Sequence, residues 1–431
     1  MPQHSADASL PPPIGLASLT QPRAPAAPDS LAHDTPPPRA QPAGAQLAGD
    51  AAGSRSLSVE FTGSGGEYFR IWIVNLLLTL VTAGLYYPWA KVRKLRYFYG
   101  NTVVGGHALD FHGEPRRMLR GYLLVGLLFV LYSVAGNVSP VAGAVALVLL
   151  AGLWPALFRA SMRFRLANTS WRGLRLRFTG DTAGAYKAML PLFVPALLLV
   201  ALPVLVPETS APAPGRGSAP AGALVLGVTL VAFAALPALW WSLKRYQHDN
   251  YQLAALRTQF RASVASFYGV FLKAGLLMLL AMAAVAAVGG LLGAAGALFG
   301  GGRRSVGAIL LAIVLVVVAV YAVLLLVVQP YVTAKMQNLV WSRTGNRSLR
   351  FDSALRFGPL LALTLKNWLL VLLTLGLYWP FAAIATARLR LEAIEVQTRV
   401  DIDTLVARSR EQMDDAAGDA AGDVAGIDVG L

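Results

Sequence analysis

Residues 79–102 read "TLVTAGLYYPWAKVRKLRYFYGNT", passing from an apolar run into a burst of cations across one Gly and one Pro. A close copy, "VLLTLGLYWPFAAIATARLR", occupies residues 371–390. At an offset of 292 the two regions match at Asn75/Asn367, Thr82/Thr374, Gly84/Gly376, Tyr86/Tyr378, Pro88/Pro380 and Arg96/Arg388. Gly suits the end of a helix and Pro the start of the next. Each copy therefore reads as a helix, a break at Gly84 or Gly376, and a second helix opened by Pro88 or Pro380. A helix from Phe69 to about Thr82 rises only ~20 Å, short of the ~30 Å hydrocarbon core of a bilayer. Both copies are expected as shorter terminal membrane segments, either re-entrant or spanning. The re-entrant form keeps both chain ends, with Arg388 and Arg390, on the cytoplasmic side. It also requires these segments to pack inside the bundle, because lipid offers open backbone no partner.

Between the copies lie six long apolar runs, at residues 122–136, 144–158, 188–206, 223–241, 271–290 and 306–328. Most approach or exceed the ~18–20 apolar residues that cross a bilayer as helix. The 431-residue chain is 56% hydrophobic and 14% charged, against roughly 25% charged in soluble domains. The expected fold is an all-α polytopic membrane protein: six full transmembrane helices, two shorter terminal segments, and small cytoplasmic β-hairpins.

Cations mark one side. Residues 91–120, 158–187, 244–273 and 335–366 together hold 25 Lys and Arg, while the opposite connections hold only Arg216, Arg303 and Arg304. That bias places the basic segments in the cytoplasm, and so both termini there if the end segments are re-entrant. Arg93, Lys94, Arg163 and Arg165 are the candidate contacts for anionic headgroups, each worth about 1 kcal/mol near a charged surface. Nucleic acid is not expected as a partner, since its recognition needs a coherent basic face with stacking aromatics.

The basic segments repeat. Pro88, Pro155 and Pro237 each stand 13 residues before an Asn (Asn101, Asn168, Asn250), and each Asn stands 10 before a Phe (Phe111, Phe178, Phe260). A fourth copy runs from Pro330 to Phe351, two residues short and without the Asn; Phe61 precedes the first membrane segment. Each Phe closes an alternating run such as "LSVEF", "HALDF", "LRLRF" or "RSLRF". Residues two apart share a strand face, so these runs read as the second strands of small hairpins, with turns at Gly105–Gly106 and Arg172–Gly173.

The Pro/Ala-rich residues 1–56 read as a disordered tail. Residues 57–395 form the multi-pass domain, and residues 396–431 a helical and then acidic, disordered cytoplasmic tail.

"FTGSGGEYFRIWIVNLLLTLVTAGLYYPWAKVRKLRYFYGNTVVGG" and the later "N…F.F.G…Y" blocks resemble the YjgN-like family of bacterial inner-membrane proteins, a domain-of-unknown-function family. The likeness spans roughly residues 57–395. The last copy departs from it, with Phe381 for Trp and Ala383 for the first Lys. The resemblance implies the bacterial inner membrane and a multi-pass fold; it supplies no activity and no site.

No catalytic set is legible: there is no Cys, no HExxH, no P-loop and no GxSxG. His107 and His112, five apart on a strand, point to opposite faces. No metal, cofactor or enzymatic activity is expected. The polar membrane positions worth following are Asn75 and Asn367 beside the Gly84–Pro88 and Gly376–Pro380 breaks. They could line a polar path, as discontinuous helices do in carriers, or simply bond between helices. The function read from sequence is a non-enzymatic inner-membrane protein whose basic cytoplasmic layer binds anionic lipid headgroups or a protein partner of unknown identity. The alternative is an uncoupled carrier or channel for a small solute.

Overall fold

The computed structural model describes residues 55–205, 219–299, 306–409 and 411. The two expected tails lie otherwise outside the described residues. The chain runs β1 (Arg55–Phe61), α1 (Gly65–Val81), α2 (Tyr87–Gly100), β2 (Thr102–Val104), β3 (His107–Phe111), α3 (Pro115–Val138), α4 (Pro140–Ala167), β4 (Thr169–Trp171) and β5 (Leu174–Phe178). It continues through α5 (Thr182–Leu205), α6 (Ala219–His248), β6 (Tyr251–Leu253), β7 (Leu256–Arg257), β8 (Gln259–Phe260), α7 (Val264–Phe299) and α8 (Val306–Val323). A π-helical turn (Leu324–Val328) leads into α9 (Gln329–Ser342), then β9 (Thr344–Gly345), β10 (Leu349–Ser353), α10 (Phe357–Leu373), α11 (Trp379–Leu391) and β11 (Ile394–Thr398).

Two expectations are corrected. Among the described residues five helices, not six, are long and apolar enough to cross a membrane: Pro115–Val138, Pro140–Ala167, Ala223–His248, Val264–Leu291 and Leu310–Ser342. The expected third run is helical, as α5, but is not one of them. The hairpins are also not small separate units. All eleven strands join one antiparallel sheet in the order β7-β6-β5-β4-β3-β2-β1-β11-β10-β9-β8. Its two end strands, β7 and β8, are separated by Thr258 alone, so the sheet is a nearly closed barrel. The fold is thus helices plus a β-ring, not all-α. The ring forms because each second strand pairs backward with its own hairpin and forward with the next. Ala108 pairs with Val103 while Leu109 to Phe111 pair with Trp171 to Thr169. β1 does the same across the chain ends, pairing Ser58 to Arg55 with Glu395 to Thr398 and Val59 to Phe61 with β2. β11 thereby straddles residue 395, where the sequence reading ended the membrane domain.

Five units make the ring. In each, the residue ending a strand pairs with the one that follows a helix: Phe61 with Thr102, Phe111 with Thr169, Phe178 with Tyr251, Phe260 with Thr344, Ser353 with Ile394. This register shows that the fourth copy is not short. Arg343 stands 13 residues after Pro330 in the Asn place, and Ser353 stands 10 further on in the Phe place. The equivalent prolines, Pro88, Pro155, Pro237, Pro330 and Pro380, are all buried. Asn suits the first three helix ends because its side-chain amide donates to a carbonyl of the last turn. Asn101, Asn168 and Asn250 donate back to the carbonyls of Tyr97, Phe164 and Tyr246, at 2.7–2.8 Å. Their backbone carbonyls accept the amides of Thr62, His112 and Thr179, each just past the neighbouring strand.

The terminal units are helical hairpins that leave the sheet and return to it. α1 and α10 are 17 residues each, and α2 and α11 are 14 and 13. Their turns are built alike. Thr82 Oγ1 donates to Leu78 O and accepts from Tyr86 N; Thr374 Oγ1 donates to Leu370 O and accepts from Tyr378 N. Gly84 (φ +91°) and Gly376 (φ +94°) occupy the left-handed region, where Gly carries no steric cost. The tips are apolar and outward: Val81 and Leu375 are 83% and 93% exposed. An inward-turning backbone that satisfies its own groups is what a lipid surround demands.

Candidate functional site

Each unit ends in a helix that returns to the sheet: α2, α4, α6, α9 and α11. Arg93 and Lys94 lie midway along α2, Arg163 and Arg165 lie near the sheet end of α4, and all four are exposed. The four sequence-selected cations therefore share one layer, although only Lys94 reaches the cavity described next.

Inside that layer lie two adjoining cavities of about 650 and 580 Å³, which share Gln329, Gln337, Trp341 and Arg390. Lys94 from α2 and Arg390 from α11 line the first; Lys244 from α6 and Arg390 line the second. Among the described residues neither wall carries a carboxylate. None of the ion pairs among the described residues involves Lys94, Lys244 or Arg390. Arg390 is fixed by a reciprocal pair of bonds: its Nε donates to Gln337 Oε1, and Gln337 Nε2 donates to Arg390 O, both at 2.8 Å. Lys94 Nζ lies 5.7 Å from the Phe98 ring centroid, and Lys244 Nζ donates to Gln247 Oε1 at 3.1 Å. Tyr251 faces the second cavity, and burial pushes its phenol up to about 12, leaving it a neutral hydroxyl. The π-helical turn contributes Leu324, Leu325 and Val328 to the walls; such turns concentrate at functional sites.

Polarity changes along the first cavity. Arg390 and Lys94 lie at its sheet end beside Ile394 of β11, while Trp368, Val371 and Trp379 line it toward the hairpin tip. Asn367 sits between. It is buried, donates from Nδ2 to Ala382 O (3.4 Å) and Thr386 Oγ1 (3.3 Å), and leaves Oδ1 without a hydrogen-bond partner among the described residues. Asn75, its counterpart on α1, is equally buried with an unpartnered Oδ1, but does not line either cavity. The structure thus does not bring the two Asn residues to one path. Gly84, Pro88, Gly376 and Pro380 serve the hairpin turns and helix starts.

Sequence reading missed Lys244, Gln337 and Arg390 as a group. A signal was present: Lys244 and Gln337 each stand seven residues after a unit proline, and Arg165 and Arg390 each ten. Among the described residues no group of three or more His, Cys, Asp or Glu is arranged to hold a metal.

Residues 56–424 match the family described as bacterial protein of unknown function (DUF898). Inner membrane protein YjgN of Salmonella typhimurium is 32% identical over 143 residues, covering 33% of this chain and 36% of that relative. Inner membrane protein YjgN of Escherichia coli K12 is 30% identical over 154 residues, 34% of this chain and 37% of that relative. The matches thus span little more than a third of the relatives' own length. No solved structure matches the chain.

Proposed function

The chain belongs to the DUF898 family of bacterial proteins of unknown function, and from that premise we propose that it is a non-enzymatic protein whose basic, sheet-side layer binds anionic lipid headgroups. It is a multi-pass protein of the inner membrane. The observation that carries the lipid reading is the single sheet. Because every described strand lies in it, the sheet ends of all five returning helices are gathered at one end of the bundle, with Arg165, Arg245, Arg388 and Arg390 in their last turns. The charge bias of the sequence assigns that end to the cytoplasm, where anionic headgroups attract about 1 kcal/mol per cation near the surface. Pairing of β1 with β11 supports cytoplasmic placement of both termini. The non-enzymatic part rests on the sequence, which carries no recognisable nucleophile, metal or phosphate-loop motif.

Liposome flotation tests the layer. With vesicles of phosphatidylcholine and phosphatidylglycerol at low salt, charge reversal at Arg93, Arg163 and Arg165 is expected to reduce binding severalfold. Unchanged binding would refute the reading. Reporter fusions at residues 50 and 410 test the topology, and a periplasmic signal at either site would sink it. A second reading, an uncoupled carrier or channel for a small solute, draws on the cavity beneath the ring. Solute uptake into proteoliposomes distinguishes it.

A further inference from the structure

Three features of the molecule outlast the surface-layer reading: the cation-lined chamber, the unpartnered Asn75, and the helix at residues 402–409, whose Ile402 and Val406 pack on Trp171 and Leu174. The chamber carries the most. We propose that it is a stoichiometric binding site for one phosphate-bearing amphiphile, with its phosphate at Arg390, which both cavities share, flanked by Lys94 on one side and Lys244 on the other, and its apolar chain along Leu325, Trp368, Val371 and Trp379. The class of ligand rests on the lipid-headgroup reading above; the site itself does not coincide with the outer layer.

The argument begins with charge. Arg390 lines both adjoining cavities, with Lys94 beside it in the first and Lys244 in the second, three cations from three different helices, and among the described residues no carboxylate stands in either wall. Like charges held together in a partly enclosed space repel, so the arrangement calls for an anion. Gln337 holds Arg390 through Nε alone, leaving the outer guanidinium nitrogens without a partner among the described residues. A guanidinium presented in this way matches a phosphate with two parallel donors. Shape then selects an amphiphile over a bare anion. A cavity of about 650 Å³ falls within the range of sites for drug-sized ligands, far more room than one phosphate fills. Its polarity is graded: cations at the sheet end, tryptophans and aliphatics toward the hairpin tip. A lipid entering from the cytoplasmic leaflet has the same order of head and chain.

The test uses full-length protein purified in a mild detergent, with phosphatidylglycerol as probe and native mass spectrometry as readout. Wild type is expected to retain one phosphatidylglycerol per chain. Lys244→Gln with Arg390→Gln is expected to lower its affinity at least tenfold. Lys94→Gln, at an exposed side chain whose ammonium lies over the Phe98 ring, is expected to lower it about threefold. Ala383→Trp, which fills the apolar stretch without touching charge, is expected to abolish retention. Millimolar inorganic phosphate is expected to leave the lipid in place. Arg93→Glu with Arg163→Glu probes the surface layer separately: vesicle flotation should fall while the chamber lipid stays. Undiminished retention in both the Lys94 variant and the folded Ala383 variant would overturn the site. So would displacement of lipid by equimolar inorganic phosphate, or loss of chamber lipid on surface charge reversal. Failure of flotation alone in the wild type sinks the surface reading and leaves the chamber standing.

Discussion

Arg388 reaches back across the whole chain to Gly63. Its Nη2 donates to Gly63 O at 2.9 Å, and its Nε to Phe61 O at 3.3 Å. The same latch recurs around the ring. Arg96 donates to Gly113 O, Arg159 to Gly180 O, Trp241 to Ala262 O, and Asn338 to Leu355 O. Each returning helix is thereby tied to the linker that opens the next outgoing helix, two residues past the strand end. Arg388 is the member that closes the circle, with Phe381 packed on Phe69 at 5.8 Å between ring centroids beside it.

Closure makes Arg388 the most sensitive latch. At the inner positions the chain itself joins consecutive units, whereas the first and last are held only by non-covalent contacts. A hydrogen bond from a charged group is worth about 1.5–3 kcal/mol, and the half-exposed setting of Arg388 points to the lower end. Arg388→Ala is expected to destabilise the protein more than Arg96→Ala, with Arg388→Lys intermediate. Thermal unfolding in detergent, followed by size-exclusion chromatography, checks the order. Equal effects would mean that the ring does not depend on its terminal seam.

Glycine two residues past the strand end is the second element of the latch. A Cβ at Gly63, Gly113 or Gly180 would meet the ring of the strand-ending Phe at 2.5–2.9 Å. Gly113→Ala is therefore expected to cost about 1–3 kcal/mol through overpacking. Gly66, with open space at its Cβ, is the control and should tolerate Ala within about 0.5 kcal/mol.

These comparisons also show where the sequence was readable. The strand runs were legible because alternation is local: Val59 and Phe61 are both buried while Ser58 and Glu60 are exposed. The ring was not. Whether Leu57 pairs within a hairpin or with Val396, more than 300 residues away, leaves no trace in either segment's periodicity. Phe351 closes an alternating run, yet the spacing from Pro330 places Ser353 at the strand end. Ser353 fills the strand-end place, donating from Oγ to Asn338 Oδ1 at 2.9 Å, so a polar pair replaces the aromatic packing of the other units. The chamber cations were counted as topology signals, since a Lys near a helix end serves either purpose. Only the convergence of α2, α6 and α11 separates the two uses.

Asn75 gives a prediction of opposite sign. Its buried Oδ1 is unpartnered, and it lies away from the chamber. A buried acceptor left unsatisfied costs about 1–3 kcal/mol, which Leu of similar volume removes. Asn75→Leu is expected to raise stability by about 1 kcal/mol. Asn367→Leu loses two weak bonds along with the unpartnered atom and should be close to neutral. Denaturation in detergent of both variants checks the contrast. A loss of stability in Asn75→Leu would mean that its carbonyl has a partner in the folded protein.

The C-terminal helix, residues 402–409, supplies a pH-dependent test. Ile402 and Val406 are buried against Trp171 and Leu174, with Leu57, Val104, Leu109 and Leu253 around them, so the helix seats on strands β1 to β6. Asp403 accepts a hydrogen bond from Arg172. That bond, and then the Arg172 charge, hold the Asp403 carboxyl below its ordinary value of 3.8. A depressed carboxyl contributes to docking above its undocked pKa and ceases to contribute as pH falls through the docked one. Docking is thus expected to be constant from neutral pH to about 4, and to weaken below it. Hydrogen exchange of the 402–409 amides across pH, corrected for intrinsic rates, reads this directly. Asp403→Asn should remove the acid-dependent step and leave the helix seated by Ile402 and Val406. Ile402→Asp, which buries a charge in an apolar seat, should release the helix at every pH. An acid step that survives in Asp403→Asn would assign it to another group and leave the Arg172 contact without a role in docking.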